Sequence, residues 1–260
     1  MEKRAESWRA FGLPAGDYHL IGWDVDTTGS GFDDEICHIA AYTPTASFAR
    51  FVIPYQDIKP AARRKHGLNV VTVGRFRMLK DTKTNSVLKT KCLVAALAEF
   101  LQWLEGLKAK TSDGVILIFH EARKVSVPIL LQAVRKYNFM EKFTAVVKGF
   151  VNGYSVAEVM CTNHICSVSL KTLSKTLLHE DDNLGSAAVR ARLAFQILQI
   201  ICGNEPKQGR GDGSQNANTA LVQAISRFTK TIAQEEEELE RFKNALDRQA
   251  ARRGFFATSS

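Results

Sequence analysis

The chain has 260 residues, 45% of them hydrophobic, and carries 35 Lys and Arg against 27 Asp and Glu, a net charge of +8. That apolar content excludes a disordered or low-complexity chain, and the length allows one large core or one domain with a helical appendage. No apolar run reaches the roughly 18 residues of a membrane-spanning helix, the first twelve residues lack the apolar stretch of a secretory leader, and the basic balance favours polyanionic partners such as RNA, DNA or anionic lipid.

Residues 1–16 read as a loose lead-in. Residues 18–26 read as a strand that ends in two acids, within IGWDVDTTG. Residues 35–43 and 47–53 read as two more strands, the last ending at Pro54, and the short connections predict an antiparallel meander. Pro60 opens a helix over 59–66. Residues 91–108, KCLVAALAEFLQWLEGLK, place apolar side chains at i, i+3, i+4 and i+7, the pattern of an amphipathic helix. The continuous apolar run GVILIFH, 114–120, predicts a strand buried on both faces. A helix over about 127–138 and a short strand near 144–150 follow. A loop then leads to a helix through about 178, which Ser167 or Ser169 caps. A last apolar helix covers 186–202. Strands followed by alternating helix and strand predict an α/β fold with a mixed sheet over 17–204.

Residues 205–218 contain KQGRGDGSQNAN, a polar Gly-rich linker. Beyond it, 219–252 reads as one long charged helix with Glu235 to Glu238 near its start and a stripe of Ile232, Leu239, Phe242 and Leu246. That helix is expected to dock either on the body of the chain or in a second, helical domain of which 219–260 would be the opening, cut short. The five cysteines, Cys37, Cys92, Cys161, Cys166 and Cys202, form no Cys-x-x-Cys pair and read as reduced thiols of an intracellular protein. Cys161 and Cys166 flank His164, too few ligands for structural zinc.

Asp24 and Asp26 are spaced i, i+2, as in a site that holds metal ions for chemistry on phosphates. Further landmarks follow in order: Asp34-Glu35-Ile36 with Ile39-Ala40, Pro54, His66-Gly67-Leu68, Phe119-His120-Glu121-Ala122, and Ser169-Leu170-Lys171-Thr172-Leu173. Together, over about 18–202, they resemble the DEDD-type 3′–5′ exonucleases of the ribonuclease H-like superfamily. The resemblance implies an exonuclease-like mixed β-sheet flanked by helices. It also implies a site where four carboxylates hold two Mg²⁺ ions about 4 Å apart, one generating hydroxide and the other steadying the leaving oxygen. A histidine serves as general base.

Mapped onto this sequence, that site is incomplete. Asp24 stands, and Asp26 takes the place of a Glu. Val125 replaces the second-motif acid, Gly185 the histidine and Arg190 the last acid. The resemblance therefore implies a degenerate site with no catalysis, no metal and no cofactor. Arg190 brings a permanent positive charge that can pair with Asp24 or Asp26. An active exonuclease with altered ligands, the alternative, needs Glu121, Asp181 or Asp182 to substitute.

A narrower resemblance runs through Leu13-Pro14-Ala15-Gly16, the Asp24–Gly29 turn, Ala40–Thr45, Lys59-Pro60-Ala61-Ala62-Arg63, Phe76–Lys80 and Val189-Arg190-Ala191. These are similar to the Exuperantia family of insect maternal-effect proteins. That resemblance implies an exonuclease-like domain followed by a SAM-like helical region. It further implies a homodimer, RNA binding at structured messenger RNA, cytoplasmic ribonucleoprotein transport components as partners, and a role in localising maternal messages for the embryonic axis.

From the residues themselves, an RNA surface is expected in 59–91. This segment holds Lys59, Arg63, Arg64, Lys65, Arg75, Arg77, Lys80, Lys83, Lys89 and Lys91, with Asp81 as its only acid and His66, Phe76 and Met78 interleaved. Cations neutralise phosphates and flat side chains stack on unpaired bases. Arg123 and Lys124 form a second candidate at the rim of the carboxylate site. A dimerisation module without RNA contact is the other reading.

Overall fold

The computed structural model describes residues 13–14, 16–108, 113–161, 167–181, 183–203 and 217–257. The chain opens with β1 (Tyr18–Thr27), β2 (Ile36–Thr43) and β3 (Ala46–Val52), an antiparallel meander. Helix α1 (Pro60–His66) leads to the hairpin β4 (Leu68–Val73) and β5 (Phe76–Asp81), a two-stranded sheet of its own. Then come β6 (Thr90–Lys91), α2 (Leu93–Lys108), β7 (Gly114–Phe119), α3 (Ser126–Lys136), α4 (Met140–Val146), β8 (Val147–Asn152) and α5 (Gly153–Met160). Helix α6 (Leu170–Leu173) runs into a π-helical turn at Ser174–Leu178, and α7 (Ala187–Gly203) follows. The described chain ends with α8 (Ala217–Ile225), β9 (Thr229–Thr231) and α9 (Ile232–Ala257).

The main sheet has seven strands in the order β6-β3-β2-β1-β7-β8-β9. β7 and β8 run parallel to β1, and β9 closes the far edge antiparallel to β8. This is the mixed, helix-flanked sheet the sequence predicts. β1 is central because both of its faces are apolar. Ile21, Trp23 and Val25 enter a core shared with α2, α3 and α4, with Phe100, Leu104, Leu130 and Phe143. Leu20 turns to the other face, where Ile116, Ile118, Phe195 and Leu198 form the core under α7 and α8. Alternation along a strand therefore sends Asp24 and Asp26 to the α7 face.

Helix α7 sits unusually close to the sheet. A Cβ on Gly22 would lie 2.1 Å from the Ala191 carbonyl oxygen and 2.8 Å from Phe195 Cβ. Ala187, Ala191 and Ala194 are buried on the same helix, and small residues on both sides permit the approach.

Four segments differ from the sequence expectation. The stretch after α1 is a hairpin, because Leu68 and Leu79 alternate inward to a small core with Ile58 and Cys37. Its loop glycine Gly74 takes φ 59°, a left-handed conformation that glycine adopts without strain. Residues 140–146 form α4, and 153–160 form α5 where a loop was expected. Asn152 starts α5 by accepting the Tyr154 amide. The expected single helix over 219–252 is broken. Thr229 and Thr231 are β-branched and pair with β8 as β9. Thr231 and Gln234 then form a reciprocal capping box that opens α9: the Thr231 amide donates to Gln234 Oε1 at 2.8 Å, and the Gln234 amide to Thr231 Oγ1 at 3.3 Å. The chain after the linker thus contributes a strand to the main sheet. Most of the linker lies outside the described residues.

Gly22→Ala tests the α7 contact. The added methyl group pushes against backbone that cannot yield, so denaturant unfolding should show a loss of about 3 kcal/mol. An unchanged midpoint contradicts the tight contact.

Candidate functional site

The C-terminal half of β1 carries Asp24 and Asp26 toward the first turn of α7, and Arg190 meets them there. Its Nε donates to Asp24 Oδ2 at 2.5 Å, and its Nη2 donates to Asp26 Oδ1 at 2.6 Å and to the Val25 carbonyl at 3.3 Å. Its Nη1 donates to the Leu184 carbonyl at 2.8 Å. The three charged residues are 8%, 3% and 6% exposed, so this is a buried ion triad rather than a surface pair.

One guanidinium against two carboxylates leaves an excess negative charge. Asp26 Oδ2 takes up much of it. It accepts the Ala187 amide at 3.2 Å, where the N-terminus of α7 favours an anion. It also lies 3.1 Å from His38 Nδ1, so that nitrogen carries the proton. The register of β1 and β2 sets Asp26 opposite His38, and Phe51 stacks on the imidazole with centroids 4.2 Å apart. The sequence reading missed His38. Its signal is an inward polar residue on the strand paired with β1.

Burial is the largest influence on both carboxyls. For Asp24 it outweighs the attraction of Arg190 and pushes the carboxyl up. For Asp26, Arg190 and the His38 hydrogen bond overcome burial and hold the carboxyl well below the usual range. Arg190 is held charged in turn by both partners, against burial.

The other positions singled out in the sequence are engaged in structural contacts. Val125 precedes α3 and packs, half-buried, against the main core. Glu121 caps that helix. Its Oε2 accepts the Val125 and Ser126 amides at 2.9 and 3.2 Å, and its Oε1 accepts the Ser126 hydroxyl at 2.5 Å. Gly185 donates to Asn183 Oδ1, and a Cβ there would lie 3.2 Å from the Lys65 carbonyl. Asp181 pairs with Lys175 at 3.0 Å, and Asp182 lies outside the described residues, as do His164 and Cys166. Among the described residues no three His, Cys, Asp or Glu gather to hold a metal ion. His120 Nε2 bonds the Val168 carbonyl at 2.8 Å, and burial pushes its pKa down to about 4.

The turn after β1 is held by its own network, which the sequence reading did not resolve. Asp34 accepts from Thr28 Oγ1 at 3.0 Å and from the Gly31 amide at 2.7 Å, and Lys59 pairs with it at 2.9 Å. A Cβ on Gly29 would lie 2.4 Å from the Asp34 carboxylate, so the turn needs glycine there. His66 Nε2 lies 3.1 Å from the Thr27 carbonyl and ties the end of α1 to the end of β1.

The basic candidates divide into tied and open side chains. Lys59 is held by Asp34, Arg77 by the Pro54 carbonyl and Asp57, and Lys91 by Glu99. Lys80 bonds Asn85 at 3.4 Å, and Arg63 lies 3.5 Å from Asn69 Oδ1. Lys124 is bound by Glu235 and Glu238 of α9, which withdraws it from the RNA candidates. Glu236 pairs with Arg135 and Glu238 also with Lys230, so the acidic run faces cations of the body as well as Arg241. Arg63, Arg64, Lys65, Arg75, Lys83, Lys89 and Arg123 are exposed. Arg75 lies over the ring of Phe76 at 5.3 Å, and Phe76 itself is 62% exposed.

Removing Arg190 strands two buried carboxylates. Arg190→Met should cost about 3–5 kcal/mol in denaturant unfolding at pH 7. The cost should shrink toward pH 5 as Asp24 and Asp26, now raised by burial alone, take up protons. In the unchanged chain the sign is opposite. Asp26 is depressed, so its contribution is fully present above the unfolded value of about 3.9 and is lost as pH falls below it. His120 adds an acid-side loss that begins earlier, between about pH 6.5 and the folded value of about 4, because the unfolded chain binds the proton first. Stability that is flat from pH 7 to 4 contradicts the His120 assignment, and stability that stays flat on further acidification below pH 4 contradicts that of Asp26.

Comparison with known proteins fits this architecture. A family model described as the Exuperantia RNAse H-like domain matches residues 18–177. "Maternal protein exuperantia" of Drosophila virilis is 36% identical over 283 residues, covering 94% of this chain and 56% of that protein. The protein of the same name from Drosophila melanogaster is 44% identical over 182 residues, 68% of this chain and 34% of that one. The chain thus spans about half or less of the length of these curated relatives. A solved structure described as "3'-end specific recognition of histone mRNA stem-loop by 3'-exonuclease" covers 72% of this chain and 84% of its own, at TM-score 0.43 and 14% identity. With the family match running through β1, the basic hairpin, β7 and β8, the chain belongs to the Exuperantia family by its RNAse H-like domain.

Proposed function

We propose that this chain is an RNA-binding exonuclease-like module that does not cleave RNA and serves the placement of maternal messenger RNA. The observation that carries the reading is the Arg190 guanidinium bonded to Asp24 and Asp26. Those are the oxygens on which a divalent cation would depend, and hard cations need several oxygen ligands in near-ideal geometry. A fixed cation there supplies no Lewis acid and generates no hydroxide.

The binding surface in this reading is α1 with the β4–β5 hairpin and its following loop. Arg63, Arg64, Lys65, Arg75, Lys83 and Lys89 give a run of exposed cations, and Phe76 gives an exposed aromatic face beside Arg75. Phosphate neutralisation supplies affinity there, and stacking on unpaired bases supplies a preference for single-stranded elements. The module works as a homodimer within cytoplasmic ribonucleoprotein particles, together with transport components. The kinship with maternal proteins supports the developmental setting.

Fluorescence polarisation with a structured RNA across a salt series tests the surface. The triple variant Arg75→Glu, Lys83→Glu, Lys89→Glu should keep its fold, lose at least about tenfold in affinity, and lower the salt slope by about two, at roughly 0.7 per phosphate contact. Affinity and slope equal to those of the unchanged chain would leave the module as a dimerisation scaffold without this RNA contact.

A further inference from the structure

A cavity of about 450 Å³ lies between the start of β2, the loop after β3, α3 and α9. It is separate from the ion triad. Its floor, Ile36, Val52 and Ile129, belongs to the core under α2–α4, whereas Asp24 and Asp26 face α7. Its volume lies within the range of small-molecule sites, roughly 300–1,000 Å³.

Three features constrain what enters it. Gln132 of α3 lines the cavity, and its Nε2 is buried without a hydrogen-bond partner. A buried donor left unpaired is costly, so the site calls for a ligand with an acceptor at that depth. Charge is divided across the walls. Lys136 and Lys243, the latter 3.6 Å from Glu240, stand on the α3 and α9 side and Asp33 on the opposite loop. The neighbouring acids are already engaged: Glu35 accepts the Tyr55 and Gln56 amides, and Asp34 holds Thr28, Gly31 and Lys59. Tyr55, 81% exposed, borders the opening and offers a ring face.

A flat apolar body, an inner acceptor, an amino group and an anionic end describe a nucleotide. We propose that the cavity takes one unpaired nucleotide of a bound RNA, its base inside against Gln132 and its phosphate toward Lys136 and Lys243. A hydrocarbon chain would fill the floor but leave the amide unanswered and Lys136, held among the described residues only over the Tyr137 ring at 5.6 Å, without an anion. The proposal rests on the RNA-binding reading and adds to it a pocket for a single base, distant in sequence from the basic hairpin.

Isothermal titration calorimetry of the full chain with AMP tests it, with adenosine and inorganic phosphate as controls. AMP should bind saturably at one site, and adenosine should bind several-fold more weakly for want of the phosphate. Gln132→Leu should weaken AMP about tenfold, the share of one lost hydrogen bond in a dry site. Lys136→Ala, a surface change that spares the fold, should weaken AMP but not adenosine. Absence of AMP binding, or AMP affinity unchanged in both variants, overturns the proposal. Phosphate binding as tightly as AMP also overturns it, by reducing the site to an anion contact. If AMP fails to bind while RNA still binds with its salt slope, the cavity proposal alone falls. If RNA fails to bind in the salt series, the underlying reading falls whatever AMP does.

Discussion

The pairing of Arg190 with Asp24 and Asp26 is the interaction on which the interpretation of this molecule turns. It joins the central strand to the helix that covers it, next to the tight approach where Gly22 meets Ala191. Taking three charged groups out of water is costly, and such clusters persist only when each polar atom is answered. Here the guanidinium reaches two carboxylates and two carbonyls, and Asp26 adds His38 and the first amide of α7. The guanidinium is a covalently attached cation set on those two carboxylates, and it bridges strand to helix.

The surroundings are committed to structural contacts. Glu121 holds the N-terminus of α3, and Gly185 lets the chain before α7 pass close to Lys65. The loop after β1 keeps the form of a motif loop, but Asp34, Thr28 and Lys59 hold it internally. Cationic character moves outward to α1 and the hairpin, while α9 lays its Glu run against Lys124 and Arg135. The fold thus presents its accessible positive charge on α1 and the hairpin.

Much of this was legible in the sequence. The double-sided apolar run of β1, the amphipathic period of α2 and the unbroken run of β7 fixed those elements to within a residue or two, because burial on one or both faces leaves a clear period. The pairing of Arg190 with the carboxylates of β1 was also anticipated. What the sequence hid has physical reasons. β9 is three residues long, too short to show a period, and its pairing with β8 is a tertiary contact. The β4–β5 hairpin exposes Val73 and Phe76, so its pattern does not resemble a half-buried strand pair. The His38–Asp26 bond depends on cross-strand register, and the Gln132 amide depends on which side of α3 meets a void. Charge density in 59–91 was plain, but its division into tied and open side chains needed Asp34, Asp57 and Glu99 to be placed in space.

The most direct test of the account is incubation of the chain with 3′-labelled and 5′-labelled single-stranded RNA in Mg²⁺ or Mn²⁺, with products resolved by length. Arg190 on the carboxylate oxygens predicts RNA that stays full length in either metal. Stepwise shortening from the 3′ end, abolished by Asp24→Ala, would contradict it and show that a working metal shell forms in spite of the guanidinium.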